Sequence, residues 1–194
     1  MPKLWNETIE SHRREVRDAI LNTTAALVFE HGLLSVTMSQ IAEETGIGRA
    51  TLYKYFTDID SILAAWHTRE ISGHLHQLTE IRDRSGDPAD RLRSVLTTYA
   101  LMIQHTRGHL DADLGRFLHH DHHIGHAQKQ LQELVSGLID EGVAAGQVRS
   151  DIKADELAGY CLHALSAAGG LTSEAATRRL VQVTVAGLRP DDAS

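Results

Sequence analysis

A short run of hydrogen-bond donors and small side chains, residues 49–55, has the composition of a surface that grips nucleic acid. Ala50 and Thr51 are small enough for close approach to a DNA groove, and Arg49 can reach a guanine edge or a phosphate. Donors that suit phosphate oxygens follow at Tyr53, Lys54 and Tyr55. This chemistry requires the side chains to share the outward face of one helix.

Two short helices separated by a glycine turn are predicted around this run. Thr37, followed three residues later by Gln40, is a capping box that opens the first helix. Gly46 ends it, because the left-handed conformation expected there would strain a residue with a Cβ atom. The second helix docks inward through Leu52 and Phe56, which are four residues apart. The pair is a helix-turn-helix, and the second helix of such a pair lies in the DNA major groove.

The segment from about Val16 to Leu63 resembles the DNA-binding head of the TetR family of transcriptional regulators. The matching positions are Phe29, Gly32, Val36, Thr37, Ile41, Ala42, Gly46, Ile47, Thr51, Leu52, Tyr53, Tyr55 and Phe56. The resemblance implies a homodimer, an N-terminal DNA-binding head and a larger all-helical ligand-binding and dimerisation domain. Together with the helix-turn-helix pattern, it predicts DNA contacts from Thr37, Ser39, Gln40, Gly48, Arg49, Ala50, Thr51, Tyr53, Lys54 and Tyr55.

Two positions depart from the family pattern. Gly48 stands where the family usually has serine, and glycine caps a helix nearly as well. The family commonly has a lysine after the aromatic pair, but residues 57–60 read Thr-Asp-Ile-Asp and add negative charge. Phosphate contacts must therefore come from elsewhere, and we expect operator binding to be weak or sensitive to salt.

A basic cluster near the N-terminus has two interpretations that the sequence leaves open. After a frayed arm of about ten residues, a helix is expected to run to about His31. Its first turns contain His12, Arg13, Arg14 and Arg17. These side chains either contact the DNA backbone or a flanking minor groove, or they form a solvated helical turn.

Composition bounds the class of protein. The 194 residues suffice for a small head and a larger body, which we assign to residues 1–58 and 59–194. A net charge of −7 argues against a generally basic nucleic-acid binder, so affinity should depend on few phosphate contacts. The single cysteine, Cys161, suits a reducing compartment, and neither a signal peptide nor a membrane span is visible. We expect a cytoplasmic protein.

The whole chain is predicted to be all-α, with about nine helices, including a short one from Leu110 to His119. The last two, roughly residues 155–168 and 173–188, are apolar on more than one side. Such helices must bury a second face, against their own domain or against the same pair in another subunit. The resemblance favours the second choice. The predicted dimer interface is Leu157, Cys161, Ala164, Leu165, Ala168, Ala176, Leu180, Val183 and Gly187.

Histidines concentrate between residues 119 and 126. His119 and His123, and likewise His122 and His126, have the i,i+4 spacing that brings two imidazoles onto one metal in a helix. Two other interpretations remain open. The histidines form a solvent-exposed corner between helices, or His120 and His123 are polar contacts in a ligand pocket. The apolar residues that would line such a pocket, or be plain core, are Trp66, Met102 and Phe117.

These features predict a sequence-specific DNA-binding regulator, a repressor that a small-molecule effector releases from a palindromic operator. One alternative is a metal-responsive regulator that uses the 119–126 histidines. A remoter one is a helical metal-dependent hydrolase, since such enzymes contain the dipeptide His120-Asp121. Because nucleophile-elbow, zinc-protease, P-loop and dinucleotide-binding motifs do not occur, we expect no catalytic residues and no cofactor. A purely architectural DNA binder would not need so large a body.

Overall fold

The computed structural model describes the backbone of residues 3–109 and 122–190, and the side chains of residues 9–105 and 125–190. Within these ranges the chain forms eight α-helices and no β-strand, which confirms the all-α prediction. The helices are α1 (Lys3–His31), α2 (Met38–Thr45), α3 (Arg49–Tyr55), α4 (Ile59–Arg82), α5 (Pro88–His109), α6 (His122–Ala144), α7 (Ala154–Ser166) and α8 (Glu174–Ala186). The short helix expected from Leu110 lies outside the described residues. None of the helices described here is long and apolar enough to cross a membrane.

Helix α1 begins earlier than predicted. It starts at Lys3, so the prediction of a frayed arm over the first ten residues is wrong from that residue onward. Residues 3–10 contain neither glycine nor proline, and nothing in that stretch interrupts a helix.

The described residues pack as two compact units, a first unit up to Glu70 and a second unit from Ile71. The first unit has its own core, built by α1, α2, α3 and the first turns of α4. Its fully buried members include Ile20, Ile41 and Leu52. Because α4 adds Ile62 and Leu63 to this core, the packing division falls inside α4 rather than at residue 58. The predicted boundary between residues 58 and 59 stays a prediction about functional domains.

The second unit has a separate core formed by the end of α4 and by helices α5 to α8. Buried hydroxyl groups in it are hydrogen-bonded, as burial of a polar group requires. Thr177 donates to the Gln104 side-chain oxygen at 3.0 Å, and Thr184 donates to the Leu180 carbonyl at 2.9 Å. The Gln104 amide in turn reaches the Leu171 carbonyl at 3.4 Å, so α5, α8 and the turn before α8 are tied together.

The faces of α7 differ from the prediction. Leu157, Cys161, Leu165 and Ala168, four of the predicted interface residues, are buried in the core of their own subunit. They have almost no exposed surface in the single subunit, and their contact with a second copy stays a prediction. The neighbouring stripe of α7 reaches the surface: Tyr160, just before the buried Cys161, is exposed, and Ala164, just before the buried Leu165, is half-buried.

The predicted interface residues of α8 lie outside its buried side, unlike most of those of α7. Its core side consists of Thr177, Val181 and Thr184, with Leu188 beyond the helix end. The predicted interface residues lie on the neighbouring stripe, where Ala176 and Leu180 are half-buried and Val183 and Gly187 are exposed. Their contact with a second copy remains a prediction.

Candidate nucleic-acid interface

Helix α2 has defined ends on both sides. The Thr37 hydroxyl accepts the backbone N–H of Gln40 at 3.3 Å, and the Gln40 side-chain oxygen accepts the backbone N–H of Thr37 at 2.9 Å. This is the predicted capping box, and it satisfies two N–H groups that the helix itself leaves free. At the other end Gly46 has φ 72°, and its N–H reaches the carbonyls of Ala42 and Glu43. The turn into α3 therefore starts from a fixed point.

Helix α3 is anchored by the two residues that the sequence singles out. The carbonyl of Gly48 accepts the N–H groups of Thr51 and Leu52 at 2.8 and 3.0 Å and thereby opens the helix. The helix ends at Tyr55, and the N–H of the following residue, Phe56, reaches the Leu52 carbonyl at 3.0 Å. Leu52 and Phe56 are both buried in the core of the first unit. One side of α3 is thus held inward, which leaves the other side available to a partner.

The outward side of α3 is exposed at Arg49, Ala50, Thr51, Tyr53 and Lys54. Tyr53 has 55% of its surface exposed, a large fraction for an aromatic side chain. A helix that presents donors and small side chains in this way can approach base edges and phosphates at once.

The remaining predicted DNA contacts have mixed surroundings. Tyr55 is half-buried and packs against the core of the first unit, and Ser39 is also half-buried. Thr37 and Gln40 are exposed but are already hydrogen-bonded to each other. Contact of any of these residues with DNA stays a prediction.

The junction between α3 and α4 is acidic. The carboxylate of Asp58 accepts the backbone N–H of Ser61 at 2.7 Å and the hydroxyl of Thr57 at 3.0 Å. These bonds, the one from Ser61 first, hold the pKa of Asp58 below its usual value. The carboxylate is therefore ionised at neutral pH, and it opposes a phosphate at this end of α3.

The residues predicted for a ligand pocket belong to different cores or lie outside the description. Trp66 packs against the core of the first unit, with its ring edge-to-face on Phe29 at 5.6 Å between centroids. Met102 packs against the core of the second unit. Phe117 and His120, and the side chain of His123, lie outside the described residues, so this pocket stays a prediction.

The metal-responsive alternative gains no support. Over the described side chains, no group of three or more His, Cys, Asp or Glu residues is arranged to hold a metal ion. His126 is exposed, while His119 and the side chains of His122 and His123 lie outside the described residues. Burial raises the pKa of the Cys161 thiol to about 12, so at neutral pH it is protonated and a poor metal ligand.

Two family models match the chain. One, described as bacterial regulatory proteins of the tetR family, matches residues 20–66, which contain the helix-turn-helix. The other, described as the C-terminal domain of SbtR-like transcriptional regulators, matches residues 87–190, more than half of the chain. An HTH-type transcriptional regulator of Mycobacterium bovis is 26% identical over 150 residues, which cover 74% of this chain and 75% of that protein.

Solved structures of this architecture are similar over nearly the whole chain. A TetR/AcrR-family regulator from Thermobifida fusca has a TM-score of 0.75 at 18% identity, covering 89% of this chain and 98% of its own. The regulator FadR from Bacillus subtilis, solved in complex with stearoyl-CoA, has a TM-score of 0.64 at 14% identity, covering 88% and 98%. At sequence identities this low, the structural similarity shows a shared fold and nothing about function.

A helix-turn-helix with an exposed, donor-bearing second helix, followed by an all-helical second unit, defines a class of DNA-binding transcriptional regulators. The chain belongs to the TetR family of these regulators. The family and the fold are those of regulators rather than enzymes.

Proposed function

We propose that the chain is a homodimeric repressor that leaves a palindromic operator when a small molecule binds to its second unit. The exposed outward face of α3, fixed at both ends of the helix, is the observation that carries this proposal. Two copies of α3 would enter successive major grooves about 34–36 Å apart, so the operator would be nearly palindromic.

The residues of α3 divide by the type of contact that they can make. Ala50 and Thr51 allow close approach, and the Thr51 methyl suits a thymine methyl group. Arg49 suits a guanine edge, where the guanidinium can donate two hydrogen bonds. Tyr53 and Lys54 suit phosphate oxygens, which position the protein on the duplex without reading its sequence.

The proposed dimer contact uses the exposed stripes of α7 and α8. Val183 is 68% exposed and Tyr160 is 46% exposed, and both are large apolar side chains facing solvent in the single chain. Burying such surface against a second copy is favourable by about 25 cal/mol per Å² of apolar area. The half-buried Ala164 and Leu180 belong to the same stripes. Tyr160 is a member that the sequence prediction missed, because the neighbouring stripe holds the larger aliphatic residues.

Gly187 has a more local role in this proposal. A Cβ atom there would lie 3.1 Å from the Tyr160 hydroxyl, which is tighter than an ordinary contact. The glycine thus leaves room for the Tyr160 side chain of its own subunit, and Tyr160 supplies the contact surface.

The effector is proposed by analogy and by the course of α4. The Bacillus subtilis FadR structure contains stearoyl-CoA, which supports a small-molecule ligand for this chain without specifying its chemistry. A ligand shifts the DNA-binding equilibrium only if it binds two conformations with different affinity, and typical couplings are about 1–3 kcal/mol. Helix α4 is the proposed lever, since it runs unbroken from Ile59 to Arg82 and contributes residues to both cores.

Selection from a random-sequence duplex library with the purified protein tests the DNA-binding part. We expect one palindromic sequence, with both half-sites protected from cleavage and their centres about one helical turn apart. Recovery of duplexes without a common sequence would instead indicate an architectural DNA binder.

A reporter gene behind the selected site tests the sign of regulation. We expect the protein to lower expression of the reporter, and the Tyr53→Ala variant to restore it. Protein-dependent activation of the reporter would overturn the repressor assignment while leaving the operator intact.

A further inference from the structure

Positive charge in the first unit is concentrated outside the helix-turn-helix. Residues 9–70 contain six lysine or arginine residues, namely Arg13, Arg14, Arg17, Arg49, Lys54 and Arg69. Arg69 is engaged by Asp18 at 3.0 Å and by Asn22 at 2.6 Å. Of the remaining five, three belong to a single stretch of α1, residues 13–17.

Arg13 and Arg17 project on the core-facing side of α1. Each residue advances a helix by about 100°, so residues 13 and 17 share a stripe with Ile20, Thr24 and Val28. Ile20, Thr24 and Val28 are buried, and through this side α1 packs against α2. Residues 13–17 of α1 therefore carry positive charge on the side of the helix that packs against α2.

Arg17 makes the connection to the recognition helix directly. Its guanidinium carbon lies 5.4 Å from the centroid of the Phe56 ring, the geometry of a cation–π contact. Phe56 directly follows Tyr55, the last residue of α3. The contact thus brings a positive charge from α1 to the C-terminal end of α3.

The three arginines are available to an external partner. All of them are exposed. Among the side chains that the structure describes, none forms an ion pair with Arg13, Arg14 or Arg17, whereas Asp18 is taken by Arg69. Their charges are therefore not neutralised within the part of the subunit described.

We propose that Arg13, Arg14 and Arg17 bind the phosphates of the duplex that flank the bases read by α3. The occupant is the DNA backbone, because three exposed cations lie on one stretch of α1 and the Arg17 guanidinium reaches Phe56, directly after the α3 residues proposed to bind DNA. The inference rests on the proposed DNA binding and adds contacts outside the helix-turn-helix. They supply affinity and salt dependence but no sequence preference.

The test titrates the selected duplex, extended on each side by flanks of about one helical turn, at a series of NaCl concentrations. Wild type is compared with the triple variant R13A/R14A/R17A, with Arg17→Lys, and with Arg84→Ala, an exposed arginine of the second unit, as the matched control. We expect the slope of log Kd against log [NaCl] to fall by about 0.9 for each phosphate that the triple variant no longer neutralises. Arg17→Lys and Arg84→Ala should keep the wild-type slope, and the triple variant should select the same sequence as wild type.

A second duplex, trimmed to the selected palindrome, locates the contacts. We expect wild type and the triple variant to bind it with the same affinity, because the flanking phosphates are gone. A wild-type slope for the triple variant on the flanked duplex overturns the proposal, and so does an equal decrease in affinity on both duplexes.

Two controls separate this result from other failures. Circular dichroism checks that the variants remain helical, and R13A/R14A carries the test if removal of the Phe56 contact disturbs the fold. A wild-type protein that selects no sequence at all would overturn the proposed function itself, before the arginine variants are compared.

Discussion

Two helix pairs of this molecule expose opposite kinds of surface to solvent, one polar and one apolar. Helices α2 and α3, of eight and seven residues, bury a few apolar side chains and expose polar ones, with hydrogen-bond donors on α3. Helices α7 and α8, of thirteen residues each, bury one apolar stripe and leave Tyr160 and Val183 exposed beside it. A polar outer face is stable in water and suits a charged polymer. An apolar outer face is stabilised only when another apolar surface covers it.

The largest effect is expected from a charge on the exposed apolar stripe of α8, which should prevent dimerisation. Val183→Glu should give monomers at micromolar concentration, because an unpaired charge buried in an interface costs about 3–5 kcal/mol. Sedimentation velocity measures the effect, and Gln182→Glu, at an exposed neighbour, is the matched control. A Val183→Glu protein that sediments like wild type would place the dimer contact elsewhere.

Substitutions in the buried stripe of α7 should instead lower the stability of the fold. Leu165 is fully buried in the second unit, so Leu165→Ala should lower the free energy of unfolding by about 2–5 kcal/mol. Urea unfolding in the monomeric Val183→Glu background measures this without a contribution from dimerisation. Leu162→Ala, at a half-buried site on the same helix, should cost less. Equal destabilisation at the two positions would contradict the assignment of faces.

Substitutions on the polar face of α3 should weaken DNA binding and leave the fold unchanged. Tyr53→Ala should weaken operator binding by about 1–3 kcal/mol, or about 5- to 150-fold, with unchanged helical circular dichroism. Tyr53→Phe removes only the hydroxyl donor and should cost about 1 kcal/mol. Fluorescence anisotropy with the selected duplex measures both. Loss of helix in Tyr53→Ala would mean that the ring supports the fold rather than the interface.

The smallest expected effect concerns the start of α2. Thr37→Ala removes the cap and should lower the free energy of unfolding by about 0.5–2 kcal/mol, whereas Thr37→Ser keeps the hydroxyl and should be close to neutral. Chemical denaturation measures the difference. The same destabilisation in both variants would show that the Thr37 methyl group, and not its hydroxyl, matters.

The helix-turn-helix could be predicted because its signals are local. The capping box of Thr37 and Gln40, the left-handed turn at Gly46 and the inward pair Leu52 and Phe56 each depend on residues only a few positions apart. Backbone geometry leaves few alternatives for such combinations, and the structure has each of them where the sequence indicates it. The start of α1 was missed, since the capping residue types Thr8 and Ser11 lie inside the helix rather than at its start.

The faces of α7 could not be predicted in the same way. Apolar residues occupy two neighbouring stripes of that helix, one through Leu157, Cys161 and Leu165 and one through Tyr160 and Ala164. Helical periodicity reports that both are apolar but does not report which of them its own subunit covers. Packing against α5 and α6 decides it, and neither helix falls within the few residues over which helical periodicity is read.

The sequence by itself determined that this chain is all-helical and carries a helix-turn-helix, because periodicity, capping and turn signals depend on residues close together in the chain. Its resemblance to the TetR-type regulators rests on the residues of that same N-terminal segment. Only the tertiary structure decided which stripe of α7 is core and that Arg17 meets Phe56 at the end of the recognition helix. Both depend on contacts between residues far apart in the chain, which arise when the core forms.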